Sequence, residues 1–130
     1  MNRIAIIPGA GRALDIVDAY INQPGLGEII IKNEAIAIQP LDAKMLHAGY
    51  SGAGGFQNYP AVLGTSGAGT VQAVGEGVTE FAAGDRVVFD TRALAKPETN
   101  NREGTWQKFV TVSSKTAAKV RTFLIALRSL

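Results

Sequence analysis

The sequence predicts a mainly β domain, a partly open barrel of short strands with one or two short helical turns. Three observations predict it. Apolar, β-branched residues come in short runs, as in Arg3–Ile7, Glu28–Ile38 and Arg86–Phe89. Glycines and prolines separate those runs and mark tight turns. Only Pro40–Leu46 reads as helical, and no internal repeat is present. A chain of 130 residues is long enough for one core and short for two.

Taken in order, Arg3–Ile7 is an opening strand bounded by Pro8-Gly9. Leu14–Tyr20 alternates apolar Leu14 and Ile16 with Asp15 and Asp18, the pattern of a half-buried strand. Gln23-Pro24-Gly25 and Gly27 form a turn. Glu28–Ile38 holds isoleucine at 29, 30, 31, 36 and 38, a density that favours a strand buried in part on both faces. Its polar break at Lys32-Asn33-Glu34 predicts a bulge or a change of sheet. Pro40 can open a helical turn because its missing N–H costs nothing there, and Gly49 stops it. Tyr50–Tyr59, rich in Gly, Ser and Asn, is a surface loop.

The stretch Pro60–Phe89 organises the rest. A glycine-dense entry (Gly64, Gly67, Gly69) leads into an alternating run from Thr70 to Val74. A Gly75-Glu76-Gly77 turn follows, then an apolar return through Val78 and Phe81, and Gly84-Asp85 opens a further run to Phe89. This is the pattern of a β-meander that folds back on itself. Asp90–Glu103 has no periodicity and reads as a loop, Gly104–Val112 as a strand with Trp106 and Phe109 in the core, and Thr116–Val120 closes the ordered chain.

Composition excludes several functions. A net charge of +2 without a basic block argues against nucleic acid and anionic membranes. With Cys 0 and His 1 the chain has neither disulfides nor a thiolate or His-rich metal site. No apolar run approaches the roughly 20 residues that span a bilayer, and the start is too short in apolar residues for a signal peptide. The expected setting is the cytoplasm.

The pattern PxVLGxxxAGxVxxVGxGVxxFxxGDRV, spelled by Pro60–Val87, resembles the N-terminal GroES-like domain of the medium-chain dehydrogenase/reductase superfamily. Glu28–Lys32, Ala37-Ile38-Gln39-Pro40-Leu41-Asp42 and Gly104–Val112 extend the resemblance to residues 1–120. Relatives that use catalytic zinc carry a cysteine where this chain has Gln39 and a His-Glu pair where it has Thr65-Ser66. The resemblance therefore implies the zinc-independent branch of quinone oxidoreductases, enoyl reductases and trans-acting enoyl reductases of fungal polyketide synthases. It implies hydride transfer from NADPH to an activated C=C or C=O, with polarisation by hydrogen-bond donors instead of a metal. A small-molecule or carrier-bound enone or enoyl substrate follows, with a polyketide synthase as partner.

By motif position Gln39 is a donor beside the nicotinamide, Lys44 a cation at the cleft edge and Thr65 a hydroxyl on the cleft wall. Gln39, Pro40, Asp42 and Thr65 are the expected cofactor contacts, and no metal ligands are expected. Plainer roles stand beside these. Asp42 is also a cap for the helical turn, Lys44 also a solvated surface charge, and Asp85 a turn residue. Gly64, Gly67, Gly69, Gly75 and Gly84 read as turn and packing residues, His47 as a surface or partly buried histidine, Trp106 as core. Tyr50 and Tyr59 line an entrance or anchor the loop. Pro8-Gly9-Ala10-Gly11 lacks the third glycine of a nucleotide-binding turn.

The family's cofactor domain, with its Gly-rich strand-to-helix turn, is not encoded in this stretch. Residues 121–130 are expected to be a tail outside the family pattern, and the chain to be a shortened product, inactive without a cofactor half. The alternative is a non-catalytic β-domain that docks on a reductase or synthase.

Overall fold

The computed structural model describes residues 1–9, 12–48, 59–91 and 103–120. The expected loop at Tyr50–Tyr59 apart from Tyr59, all but the ends of the loop at Asp90–Glu103, and the tail at 121–130 lie outside the described residues. The described residues form eight strands: β1 (Asn2–Ile7), β2 (Asp15–Ala19), β3 (Glu28–Ile36), β4 (Ala61–Val62), β5 (Ser66–Val74), β6 (Arg86–Asp90), β7 (Phe109–Ser113) and β8 (Ala117–Lys119). Helix α1 spans Pro40–Ala48, and a 3-10 turn covers Ser114–Thr116.

The strands form two antiparallel sheets, β2-β1-β4 and β7-β3-β5-β6-β8. The sheets are not closed, which is the mainly β, partly open barrel that the glycine-punctuated runs predict. Ile29, Ile31, Val71, Val87, Phe89, Val110 and Val112 form the core of the larger sheet, with Phe81. Ile30 is buried on the opposite face, so β3 is covered on both sides as its isoleucine density requires. The polar break in β3 is a bulge: register shifts between Asn33 and Ala35 against β5. A second, smaller cluster of Ile7, Met45 and Leu63 joins β1, α1 and the end of β4.

Residues 104–108 stitch the two sheets together. Ala5 N–H donates to the Trp106 carbonyl (2.9 Å), Lys108 N–H to Arg3 (2.8 Å) and Asn33 N–H to Lys108 (2.8 Å). Asn2, fully buried, donates from Nδ2 to Gln107 Oε1 and the Phe109 carbonyl and accepts from Phe109 N–H. A buried amide is stable only with such partners.

Four expectations are corrected or narrowed. On β2 the less exposed residues are Val17 and Ala19, whereas Leu14 and Ile16 face solvent; the alternation reads either way when both faces carry apolar residues. Of the two roles expected for Gly67 and Gly69, turn and packing, the structure shows packing, since both lie inside β5. A Cβ on Gly69 would run into the Lys32 carbonyl and sit 3.0 Å from Asn33 Cα, so the β3 bulge needs a glycine opposite it. Val78–Phe81 pairs with no strand and packs on the core from a loop held by the Ala82–Asp85 turn. Gly104–Lys108 is the stitching segment and the ladder begins only at Phe109, which is half-buried.

Candidate functional site

β3, β5 and β6 end together at one edge of the larger sheet. Ile36 pairs with Gly67 and Ser66 with Asp90. Past the ladder, Ala37 N–H donates to Ser66 (3.0 Å) and Thr91 N–H to Thr65 (2.8 Å). The residues that follow β3, those that precede β5 and those that follow β6 therefore share one end of the sheet. The segments that lead to Gln39 and Thr65, far apart in sequence, share that end because of this register.

Gln39 caps α1. Its N–H donates to Asp42 Oδ2 (2.8 Å) and its carbonyl accepts from Asp42 N–H (2.9 Å). Pro40 takes the first helical position, where no N–H is required, and Asp42 places a carboxylate at the positive end of the helix. Asp42 is almost fully buried (2% exposed), so its observed role is the cap. The Gln39 side chain is exposed and Thr65 is half-buried. Lys44 and His47 lie on the exposed surface of α1. Nothing among the described residues ties Lys44 to Thr65.

Beside Thr65 the chain opens into an apolar hollow of about 790 Å³. Ile36, Gly67, Val88, Phe89 and Ala117 line it, with Ser66, Asp90 and Lys115 among its polar residues. Asp90, Thr91, Thr105, Trp106 and Lys115 border this end of the molecule, and sequence reasoning passed over all of them as site residues. A period within one strand carries no signal for a contact between residues forty positions apart. The Glu80 carboxyl, on the loop after β5, is held below the usual carboxylate range by its own backbone N–H and that of Thr79. It is remote in the chain from every candidate residue. Among the described residues, no three His, Cys, Asp or Glu side chains converge as a metal site would require.

Residues 25–122 match the model of the alcohol dehydrogenase GroES-like domain. The chain belongs to that family. It is an N-terminal domain of the medium-chain dehydrogenase/reductase superfamily, with quinone oxidoreductases and enoyl reductases among its homologues. A trans-enoyl reductase, grgB of Penicillium sp, is 41% identical over 92 residues, which is 68% of this chain and 23% of that protein. The crystal structure of an alcohol dehydrogenase superfamily protein from Novosphingobium aromaticivorans superposes with a TM-score of 0.80 at 31% identity, over 92% of this chain and 34% of that one. The Escherichia coli quinone oxidoreductase complexed with NADPH gives a TM-score of 0.66 at 27% identity, over 92% and 33%. The chain spans about a quarter to a third of the length of the curated relatives it matches. Among the described residues no helix is long and apolar enough to cross a membrane.

Proposed function

We propose that residues 1–120 are the substrate-side domain of a zinc-independent, NADPH-dependent reductase that acts on an activated C=C or C=O. What supports this reading is that the register brings the segments carrying Gln39 and Thr65 to one end of the larger sheet. The two positions that hold zinc ligands in metal-dependent relatives here hold an amide and a hydroxyl. Both can donate a hydrogen bond to a substrate carbonyl, and neither binds zinc in the way a thiolate or imidazole does. The likeness to a trans-enoyl reductase and to a quinone oxidoreductase that binds NADPH supports the same reading.

An exposed amide and a half-buried hydroxyl fit the polar nicotinamide end of the cofactor, and Gln39, Pro40 and Thr65 would hold it. NADPH supplies the hydride when bound. Gln39 and Thr65 orient the acceptor and stabilise the negative charge that develops on its oxygen, work that preorganised donors perform well where water is excluded. Lys44, one turn along α1, lends positive charge at the mouth of the cleft. The apolar hollow favours an enone or enoyl group on an apolar chain, free or carrier-bound, with a polyketide synthase as its source and the cytoplasm as the setting.

The test is an assay of a longer chain that continues from residue 120 into a cofactor-binding domain. The expected result is NADPH consumption with an enone that survives a zinc chelator. Loss of activity on chelation contradicts the zinc-independent assignment.

A second reading, a non-catalytic domain that docks on a reductase or synthase, is favoured by one observation. Ile38 is 75% exposed beside Ile36 and Val88, which are also exposed, a concentration of apolar surface typical of contact sites. Complex formation by the 130-residue chain without any turnover supports this second reading over the first.

A further inference from the structure

Thr105 and Trp106 meet the Leu63–Thr65 turn at close range. Two backbone hydrogen bonds join them, from Thr105 N–H to Gly64 (3.2 Å) and from Trp106 N–H to Leu63 (2.9 Å). Gly64 has φ +97°, and a Cβ there would run into Thr105 Oγ1 and lie 2.6 Å from Trp106 Cδ1. Both side chains therefore press on the Gly64 backbone, which only a glycine permits. The Trp106 ring also packs on the cluster of Ile7, Met45 and Leu63. Met45 belongs to α1, and Leu63 directly precedes the turn, so one ring is wedged between the helix that Gln39 caps and the turn that holds Thr65.

The wedge is itself held rigidly. Asn33 Nδ2, at the β3 bulge, donates to the carbonyls of Thr105 (3.0 Å) and Gln107 (2.8 Å). Gln107 Nε2 donates to Gly104 (2.7 Å). By contrast, Thr105 Oγ1 and Trp106 Nε1 are buried with no hydrogen-bond partner among the described residues. Burial of a polar atom without a partner is unfavourable, so shape, and not hydrogen bonding by these two side chains, is what they supply at Gly64. Local departures of this kind gather where a fold keeps a geometry for function.

We propose that Thr105 and Trp106 are positioning residues of the candidate site: they fix the Leu63–Thr65 turn and thereby the placement of Thr65 relative to Gln39. The proposal rests on the reading of Gln39 and Thr65 as cleft residues. It extends the site to a segment that touches neither substrate nor cofactor in that reading. The pathway is physical and contiguous, from the β3 bulge through Asn33 to the 105–107 carbonyls, then through the Thr105 and Trp106 side chains to Gly64 and Thr65.

The experiment is amide NMR and hydrogen exchange on the full 130-residue chain, which needs no activity. The Thr91 N–H donates to the Thr65 carbonyl, so its exchange rate reports where Thr65 sits. In Trp106→Phe, Thr91 exchange is expected to accelerate about tenfold, with the Thr65 and Gln39 resonances displaced and Val112 in the β3–β7 ladder at its original rate. Unchanged Thr91 and Thr65 signals overturn the proposal, and so does an equal acceleration at Val112. Thr105→Val removes no hydrogen bond and sets a bulkier methyl against Gly64. It is expected to displace Thr65 at an unchanged melting temperature, and a stationary Thr65 overturns the proposal even where Trp106→Phe does not fold. Should reductase activity prove absent while Thr65 moves as expected, the functional reading fails and the positioning claim stands.

Discussion

The interior of the larger sheet and the end that carries Gln39 and Thr65 are built on different principles. The interior is an apolar ladder: Ile29 and Ile31 on β3, Val71 on β5, Val110 and Val112 on β7, all essentially inaccessible to water. The site end and the seam behind it are held by polar links: Asn2 with Gln107 and Phe109 and Asn33 with Thr105 and Gln107 across long separations, and Asp42 with Gln39 locally. Apolar burial is non-directional and tolerates small shifts. A hydrogen bond between fixed partners does not. The first kind of construction makes a stable sheet; the second holds particular groups in particular places.

Substitutions should separate the two regions by size of effect. The largest is expected at Gly69→Ala, where the added methyl meets backbone on the β3 bulge and cannot be relieved by a rotamer change. A loss of about 4 kcal/mol or failure to fold is expected, read by urea denaturation. Ile31→Ala, in the centre of the ladder, should cost about 3 kcal/mol in the same measurement by leaving a cavity. Asn2→Ala removes three hydrogen bonds from the seam and leaves the Phe109 N–H without its acceptor. The expected cost is about 2 kcal/mol, with faster amide exchange at residues 106–109 before the β3–β5 ladder opens.

Smaller effects belong to a local helix cap and to the solvated exterior. Asp42→Ala removes the carboxylate that caps Gln39 N–H and should cost about 1 kcal/mol. Fraying of α1, seen as faster exchange at the Gln39 amide, is its signature. Arg3→Ala breaks an exposed pair with Asp18 at 3.6 Å; a change of at most about 0.5 kcal/mol in the denaturation free energy is expected. If Arg3→Ala proved as costly as Asn2→Ala, the division between a fixed polar seam and a solvated exterior would be wrong.

The same contrast governs what could be read from the sequence. Strands such as β3 and β6 announce themselves because β-branched runs between glycines have few other ways to bury their side chains. The helical turn was legible in Pro40 and in the Asp42 that caps Gln39. The covered face of β2 was not, since Ile16 and Val17 are both apolar and only the packing of a three-stranded edge decides between them. Gly67 and Gly69 look alike on paper with the other turn and packing glycines. Their reason is the close approach of the bulged β3 backbone, which no local pattern reveals. Gln39 and Thr65 were singled out through a motif, and the register places their segments at one end of the sheet. Thr105 and Trp106 were not, because their relation to Gly64 depends on a fold in which residue 64 lies beside residue 105.

The central claim is that Gln39 and Thr65 act together as the polarising donors of a reductase. Steady-state kinetics of Gln39→Ala and Thr65→Ala, in a chain extended by a cofactor-binding domain, test it most directly. Each variant is expected to lose about a hundredfold in kcat toward an enone, as removal of a preorganised donor does elsewhere, with the melting temperature retained. Two variants as fast as the parent enzyme would contradict the account and leave this sheet end as a docking surface.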